Sequence, residues 1–451
     1  MFFACCVWVS WCTHTRLNQK MRAVQWRVRF VRLTRLHGVV GSSTMEESKP
    51  LLDVEVTSRI DLAALIEREQ IKTLESLART IEALQNRLVA ELEVSGWRRS
   101  TSYQRPLVTK LGRVVFRVVK VKRGPRVFSP IIYALGIENR KYSRDVRMLL
   151  ADKASRLSYQ DALTDFQNHT GVEVPKSTIR SFVLEVGRML GEANEAKANL
   201  EPLPVMMADG TKTHSVYPTL NQVRIIIGYD PDTHRKTLLH ASVNRDWSRI
   251  GRGVNMKNSS LIADAEPSMH LNLDYARRQL DLVHAVKDSL YKLWAEGMNR
   301  QERETVGVEM KQLLYTLVNS VKKHLEDDDK ESLKRRVEFT IKGLITLAEN
   351  LKRRGFRKTA AFIKSNAGFM VTFAKLALKN IQVPYTSNVI ERLMGEISKR
   401  CKHKWMHWGT EGLENMLQII LVRYTNPELY KQFWKTYIHP SQYQPTLTTP
   451  I

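Results

Sequence analysis

Apolar residues recur at spacings of three and four between residues 58 and 93, which predicts a long amphipathic helix. The stripe consists of Leu74, Leu77, Ile81, Leu84 and Leu88, with Glu and Arg between its members. Such a stripe is usually a packing face within one chain, but it can also pair two chains as a short coiled coil. The pattern therefore leaves open a homodimer or a higher oligomer that forms through this helix.

Residues 97–126 carry a second pattern, in which apolar and basic positions partly alternate. The segment holds ten basic residues and no acidic one. The alternating positions are Arg113, Val114, Phe116, Arg117, Val118, Lys120, Val121 and Lys122. This period predicts a hairpin or a small sheet, whose basic side chains are candidate contacts to DNA phosphates. The alternative is an edge strand that its charge protects from pairing.

Residues 156–191 have the pattern of two helices around a tight turn at Gly171–Pro175. Ser158 can cap the first helix. The second helix has an apolar stripe and exposes polar residues at its start, namely Lys176, Ser177, Thr178 and Arg180. In helix-turn-helix proteins this end of the second helix meets base edges, so these four are candidate DNA contacts. A purely structural helical hairpin is the alternative.

Beyond Pro204 the pattern changes to short apolar runs, which predict strands. The runs are Val205–Thr211, Gln222–Gly228, Lys236–Val243 and Ser260–Asp264. A long helix is expected at about 271–294, and 295–383 is helical by pattern almost throughout. Strands followed by helices predict an α/β core.

The charge balance points to a polyanionic partner. The chain has 451 residues, of which 43% are hydrophobic and 26% charged, and its formal net charge is +25. The hydrophobic fraction is that of a soluble globular protein. The basic excess favours nucleic acid over a membrane surface.

Cysteines are concentrated at the N-terminus, where Cys5, Cys6 and Cys12 lie, and only Cys401 is in the body of the chain. Neither a disulfide framework nor a cysteine-based zinc site is expected, and a reducing intracellular compartment fits. Residues 1–12 are too short an apolar segment to span a bilayer. Residues 13–44 contain seven Lys or Arg and no acid. We expect 1–44 to be an upstream extension that is not part of the fold.

Three carboxylates are candidates for a metal centre. Asp209 and Asp264 fall at or near the ends of apolar strands, and Glu391 lies at the edge of the apolar face of a helix that begins after Pro384. Paired divalent cations in phosphoryl transfer need bridging carboxylates, and hard oxygen ligands favour Mg²⁺ or Mn²⁺. Taken singly, each Asp could instead cap or form a turn.

Four segments together resemble the signature of the mutator-like DDE transposases of bacterial and archaeal insertion sequences. The segments are Val205–Thr211 (VMMADGT), Leu261–Asp264 (LIAD), Asp281–His284 (DLVH) and Ser387–Arg400 (SNVIERLMGEISKR). The resemblance covers about 150–435. It implies a ribonuclease-H-like catalytic core that an all-helical insertion interrupts, and an N-terminal region that binds the terminal repeats of the element.

The resemblance also assigns roles to individual residues. It makes Asp209, Asp264 and Glu391 the catalytic, metal-binding acids, and Asp281 and His284 an accessory pair that shapes the site or contacts DNA. It makes Lys399 and Arg400 nearby phosphate contacts. The chain departs from the family pattern at Ala265, where many relatives have a glycine after the second aspartate. Glu266, two residues after Asp264, could compete with it as a ligand, and Glu396 is a similar rival to Glu391.

The predicted organisation follows from these assignments. We expect an extension at 1–44, a helical and possibly coiled-coil region at 45–96, a basic DNA-contacting region at 97–150, a helix-turn-helix-like region at 151–200, core segments at 201–294 and 386–438 with an all-helical insertion at 295–385, and a tail at 439–451.

The predicted function is that of a DNA transposase. It would bind double-stranded DNA at terminal inverted repeats, cleave by two-metal-ion hydrolysis, and join the 3′-hydroxyl to target DNA. No membrane association is expected, and the protein would lie in the cytoplasm with the nucleoid. A non-catalytic, domesticated DNA-binding protein and a ribonuclease-H-like nuclease that cuts without joining remain alternatives.

Overall fold

The structure, a computed structural model, describes residues 62–138, 140–198, 203–254, 256–403 and 406–438. The expected extension 1–44 and tail 439–451 lie outside the described residues. The strands are β1 (Arg98–Thr109), β2 (Gly112–Arg123), β3 (Arg126–Phe128), β4 (Val205–Thr213), β5 (Asn221–Tyr229), β6 (Lys236–Val243), β7 (Met256–Ala263) and β8 (Tyr275–Leu280). The helices before β8 are α1 (Leu62–Val94), α2 (Pro130–Ala134), α3 (Arg144–Ala154), α4 (Tyr159–Thr170), α5 (Lys176–Ala198), α6 (Trp247–Gly251) and α7 (Pro267–Asn272). Those after β8 are α8 (Leu282–Ala295), α9 (Arg300–Asp327), α10 (Lys330–Arg353), α11 (Arg357–Met370), α12 (Thr372–Ala377), α13 (Asn388–Cys401), α14 (Thr410–Thr425) and α15 (Pro427–Ile438).

The basic segment forms a three-stranded antiparallel sheet in the order β1-β2-β3. Val114, Phe116 and Val118 are buried on one face, which packs against Ile81 of α1. The period of two in the sequence therefore corresponds to a real inner and outer face. The apolar stripe of α1 packs mainly on this sheet within the same chain, while Leu84 remains 42% exposed.

Helix α1 also binds the backbone of β2. The buried Gln85 side chain accepts a hydrogen bond from Val119 N at 2.7 Å and donates one to Arg117 O at 2.9 Å. Arg117 N in turn donates to Glu82 Oε1 at 2.7 Å. These side chains satisfy backbone groups that β3 is too short to reach, and they fix the helix on the sheet.

The helix pair α4–α5 forms as its sequence predicts. Ser158 Oγ accepts a hydrogen bond from Asp161 N at 3.0 Å, and Gly171 ends α4 with a φ of 67° in the left-handed region that favours glycine. The stripe of α5 is buried, and this helix packs closely along α14. A Cβ on Gly187 would lie only 2.4 Å from Asn415 O of α14, so this crossing requires glycine.

A mixed five-stranded sheet in the order β6-β5-β4-β7-β8 forms the centre of the second half. β4, β5 and β6 are an antiparallel meander, whereas β7 and β8 run parallel to β4. Val205 and Met207 face a core that α5, α13 and α14 complete, and Met206 and Ala208 face the smaller core beneath α6 and α7. Helices therefore cover both faces, as the α/β prediction required.

The fifth strand is a correction to the sequence analysis. The helix expected at about 271–294 is instead the short α7, strand β8 and then α8. Only Gln279 and Leu280 of the six residues of β8 are buried, so its sequence needs no apolar run of the kind that predicted the other strands. Gln279 Oε1 accepts from Phe373 N at 2.7 Å, so a buried polar contact joins this strand to the helices that follow.

Residues 300–377 form the helices α9 to α12, which pack with α8 around a separate apolar core. The acidic run at 326–329 is the connection between α9 and α10, where Asp328 has a φ of 52° and Asp329 caps α10. Among the described helices, none has both the length and the apolar character that crossing a bilayer requires.

Candidate metal centre at the end of the sheet

The register of the central sheet places Asp209 and Asp264 side by side. β4 and β7 pair in parallel with Val205 opposite Ser260 and Met207 opposite Ile262, an offset of 55 residues (260 − 205). The same offset separates Asp209 from Asp264, which directly follows the last residue of β7. The two carboxylates therefore lie level where the parallel strands diverge, the usual location of sites in α/β sheets.

Helix α13 brings the third acid to this position. Its buried side chains Ile390, Leu393 and Ile397 belong to the core that faces β4. Glu391 lies one residue past Ile390, in the first turn, and its side chain is 40% exposed. The border position of Glu391 on the apolar face thus directs its carboxylate toward the end of β4.

His284 is the point where the acids converge. Its Nδ1 lies 3.1 Å from Asp264 Oδ1, 3.3 Å from Asp281 Oδ1 and 3.5 Å from Glu391 Oε1. Asp264 Oδ1 and Glu391 Oε1 therefore lie within 6.6 Å of each other. Although these oxygens are near, Nδ1 is buried and makes no hydrogen bond of good geometry within the described part of the chain. Three carboxylates around one poorly paired nitrogen form a site that attracts a cation.

Asp281 connects the helices that carry these groups. It is fully buried and caps α8 by accepting from His284 N at 2.8 Å. Its Oδ2 accepts from both the backbone N and the Oγ of Ser387, which begins α13. Leu282 N also donates to Tyr385 O at 3.1 Å. Asp281 therefore sets the position of Glu391 relative to His284.

The pKa shifts record how crowded the acids are. Burial raises the pKa of Asp209 to about 6, opposed by the Gly210 N–H and the charge of His284, and the negative charge of Glu391 adds to the rise. Burial likewise raises the pKa of Asp264 to about 6, with Asp209 adding to the effect and His284 opposing it. Burial is the main cause of both shifts, and the neighbouring carboxylates add to it while the charge of His284 opposes it.

His284 and Asp281 shift in the opposite sense. The Asp281 carboxylate, 3.3 Å from Nδ1, raises the pKa of His284 to about 9 against the effect of burial, and the charges of Asp264 and Glu391 raise it further. Burial alone would raise the pKa of Asp281, but hydrogen bonds from His284 and Ser387 outweigh it and lower that pKa. In the metal-free protein at neutral pH, His284 is thus a cation and Asp281 an anion.

The donor set fits a divalent cation. Ligand atoms of Asp281, His284 and Glu391 all lie within 4.8 Å of one another, which would suit a metal with mixed nitrogen and oxygen ligands. Both oxygens of Asp281, however, already accept hydrogen bonds from His284 or Ser387. Asp264, and the oxygens of Asp209 and Glu391 that do not bind Gly210 N or Ser387 Oγ, could offer an all-oxygen set of the kind that Mg²⁺ or Mn²⁺ prefers.

Glu266 and Glu396, the two acids that could compete with Asp264 and Glu391, make hydrogen bonds outside the cluster. Glu266 Oε1 accepts from Trp247 Nε1 at 3.0 Å and from Ser268 Oγ at 2.6 Å. Glu396 is bound by Lys399 Nζ and by the Tyr424 hydroxyl, each at 2.7 Å. Neither competes with Asp264 or Glu391 for the cluster.

The basic side chains of β2 lie on both faces of the strand, because Arg113 and Arg117 alternate with the buried Val114, Phe116 and Val118, whereas Lys120 and Lys122 share the parity of Val118. Arg113, Arg117 and Lys122 are exposed, while Lys120 is half-buried with its ammonium group 5.4 Å from the centre of the Tyr103 ring. Arg117 also donates to Ser102 Oγ through Nε and Nη2. These residues line a positively charged surface, and contact with DNA stays a prediction.

The start of α5 has a different setting. Lys176, Ser177 and Arg180 are exposed and Thr178 is half-buried, but the rest of α5 is part of the main core. Helix α5 therefore has the structural role that the sequence analysis gave as the alternative to DNA binding.

Neither Lys399 nor Arg400 directs its charged group to the carboxylate cluster. Lys399 is exposed and paired with Glu396. Arg400 is 5% exposed, donates to Ala154 O at 2.6 Å, and lies between the rings of Tyr159 and Trp408. The prediction that Arg400 contacts a phosphate is therefore wrong, because its buried guanidinium is not available to DNA.

The sequence analysis did not predict three residues that the structure places at the site, namely Ser387, Lys402 and Thr211. Ser387 binds Asp281, and its Oγ lies 3.4 Å from Glu391 Oε1. Lys402 donates from Nζ to Thr211 Oγ1, two residues along β4 from Asp209. The polar opening at 386–388 signalled Ser387, whereas nothing in the sequence separated Lys402 from its basic neighbours.

Comparison with known proteins adds no assignment. No protein-family model matches the chain, and a search of curated proteins found no significant match.

Proposed function

We propose that this protein is a metal-dependent DNA transposase. The observation that carries the proposal is that Asp264 and Glu391 converge on His284, while the strand register brings Asp209 level with Asp264. A mixed five-stranded sheet with helices on both faces and a helical segment before α13 is also what a ribonuclease-H-like core with an insertion requires. The resemblance in the four acidic and basic motifs supports the same class.

The side chains of the site have distinct tasks in this proposal. Asp209, Asp264 and Glu391 would hold Mg²⁺ or Mn²⁺, which supplies charge neutralisation at the reacting phosphate and a nucleophile at neutral pH. Asp281 fixes the angle between α8 and α13, so that Glu391 stays opposite the two aspartates. His284 balances their negative charge before a metal binds. The carboxylates act by position and charge, without a covalent intermediate.

The basic surfaces would hold the DNA. Strand β2 and the start of α5 both expose basic side chains, and the chain carries a net charge of +25. Phosphate contacts of this kind position a duplex without reading its sequence. The terminal inverted repeats and the target DNA are the proposed partners, and the nucleoid of the cytoplasm is the proposed location.

Cleavage and joining of DNA from around the gene would test the proposal. Fragments that contain the flanking sequence are incubated with the full chain and Mg²⁺ or Mn²⁺, and both strand cleavage and transfer of the 3′ end to a plasmid are measured. Asp209→Asn, Asp264→Asn and Glu391→Gln should each abolish cleavage but retain DNA binding.

Matched controls are available close by. Glu266→Gln and Glu396→Gln remove acids near the site whose side chains bind elsewhere, and both should retain cleavage. Absence of metal-dependent cleavage by the wild-type protein would overturn the proposal. Cleavage without any joining would assign a nuclease instead, and binding without cleavage would assign a DNA-binding protein.

A further inference from the structure

The C-terminal end of α13 presents three basic side chains within four positions. Lys399, Arg400 and Lys402 are equivalent in charge, but their surroundings differ. Lys399 is bound to Glu396, and Arg400 is enclosed by Tyr159 and Trp408. Neither ammonium nor guanidinium group is therefore directed to the carboxylate cluster.

Lys402 differs because it crosses from α13 to the central sheet. It is the C-cap residue of the helix, and its half-buried side chain ends in a hydrogen bond from Nζ to Thr211 Oγ1. Thr211 follows Asp209 by two positions on β4, and side chains two apart in a strand project from the same face. The ammonium group thus lies beside the carboxylate of Asp209, on the face that α13 covers.

The charge of Lys402 acts on that carboxylate from beyond ion-pair distance. Within the described ranges, no carboxylate oxygen lies within 4.0 Å of Lys402 Nζ. A half-buried cation bound only to a hydroxyl is less than fully compensated, which suits a strongly anionic ligand.

We propose that Lys402 contacts a non-bridging oxygen of the DNA phosphate that binds beside Asp209, exchanging its hydrogen bond to Thr211 for one to the phosphate. The inference rests on the proposed function and assigns the phosphate contact to Lys402 in place of Lys399 and Arg400. The contact is non-covalent and adds one positive charge beside the reacting group. Lys402 is thus a catalytic residue in the sense that it touches the substrate.

Charge removal at Lys402 and at Lys399 gives a matched pair of variants. Lys402→Gln should slow metal-dependent cleavage about 10- to 100-fold, as expected for loss of a hydrogen bond to a charged group. Lys399→Gln should stay within about twofold of the wild type, because the Lys399 charge is already paired with Glu396. Lys402→Arg should restore much of the rate, since it returns the charge.

A binding measurement tests the contact without cleavage. With Ca²⁺ in place of Mg²⁺, DNA affinity is measured as a function of salt concentration. Lys402→Gln should reduce the slope of log K against log salt by about 0.9, the value for one phosphate contact. Replacing single phosphates of the DNA by neutral methylphosphonates should locate one position at which wild-type and Lys402→Gln proteins bind equally.

The outcomes separate this inference from the proposed function. If the wild type fails to cleave, the transposase proposal fails, while the salt slope and the methylphosphonate series still decide the Lys402 contact. If the Lys402→Gln defect is the same at every methylphosphonate position, the contact is overturned. Thr211→Val removes the hydrogen bond but keeps the charge, so a defect as large as that of Lys402→Gln would assign Lys402 a structural role and also overturn it.

Discussion

Ser387 donates two hydrogen bonds to the buried Oδ2 of Asp281, although 106 positions separate the two residues in the chain. One bond comes from the backbone N and one from the hydroxyl, and together they join the start of α13 to the start of α8. Glu391 and His284 lie one turn inside these two helices. The distance between two site residues is therefore set by a pair that does not itself need to touch substrate.

Removing either partner should destabilise the fold to different degrees. Ser387→Ala loses only the hydroxyl donor and should lower the free energy of unfolding by about 1 kcal/mol. Asp281→Ala leaves Ser387 N and His284 N without an acceptor and should cost about 3 kcal/mol. Urea unfolding of both variants and the double variant measures the coupling. Strictly additive effects would show that the two residues do not act together.

Asp209→Asn should stabilise the metal-free protein at pH 8. The folded state raises the pKa of this carboxyl to about 6 from its usual 3.8, so its ionised form is unfavourable there. After allowance for partial solvent access, the gain is about 1 kcal/mol. Thermal melting in chelator measures it, and Glu173→Gln, at an exposed position before α5, is a control for general charge removal. A lower melting temperature than wild type would contradict the cause assigned to the shift.

A divalent cation should reverse that order. Mg²⁺ or Mn²⁺ at 100 times its dissociation constant should stabilise the wild type by about 2.7 kcal/mol. Asp209→Asn and Asp264→Asn should lose most of this gain, because each removes a ligand. Melting temperature against cation concentration is the measurement, and Glu396→Gln should respond as the wild type does. An equal response in all variants would place the cation elsewhere.

The cation effect should depend on pH in a defined direction. Between about pH 4 and pH 6 the folded protein holds protons on Asp209 and Asp264 that the unfolded chain has released, so the stability of the metal-free protein that these groups determine falls as pH rises. His284, with its pKa raised to about 9, adds stability that is complete below 6.5 and lost as pH rises through 9. A cation competes with the protons on Asp209 and Asp264, so the stabilisation that it gives should be full near pH 8 and vanish below about pH 5. A cation effect that persists at pH 4.5 would contradict carboxylate ligation.

The close crossing of α5 and α14 gives a further test of the fold. Gly187→Ala should cost about 1–3 kcal/mol, because its Cβ would overlap Asn415 and push the helices apart. Gly395→Ala is the matched control, since that helical position has open space around it and the substitution should stabilise by up to about 1 kcal/mol. Denaturant midpoints compare the two. Equal effects would show that the crossing tolerates separation.

The two basic surfaces can be compared by pairs of equal charge removal. Arg113→Gln with Lys122→Gln should reduce the salt slope of DNA binding by about 1.8 if both side chains contact phosphates. Lys176→Gln with Arg180→Gln tests the first turn of α5 in the same way. Lys72→Gln with Lys431→Gln is the control, because each of these lysines is paired with a glutamate. An unchanged slope in both test pairs would remove these surfaces from the proposed function.

Local patterns were enough to predict much of the fold. The apolar runs of β4, β5, β6 and β7 marked strands. Asp264 directly follows β7 as predicted, whereas Asp209 lies in the middle of β4, which continues to Thr213 through polar residues. β8 was missed because Gln279, its buried polar residue, takes its partners from the helical segment, and no local rule anticipates a long-range hydrogen bond. Asp281 followed by Leu282 had the pattern of a helix cap, which could have ended the overlong helix.

The fate of individual basic residues could not be predicted from the sequence. Arg400 is buried because Tyr159, from a distant part of the chain, and Trp408, from the segment that follows α13, both pack against its guanidinium. Lys402 reaches β4 because α13 crosses that strand, a fact of tertiary structure. Basic residues that look alike along the chain are distinguished here by what the tertiary structure places next to each of them.

The bonds between Asp281 and Ser387, with that from Leu282 to Tyr385, close the polypeptide loop that contains α9 to α12 at its base. The entropic cost of closing a loop grows only with the logarithm of its length, by about 0.6 kcal/mol for each doubling. Gain or loss of a helical pair inside the loop would therefore change little at the site. Proteins built on this plan can vary widely in size while the distance between the second aspartate and the glutamate in space stays the same.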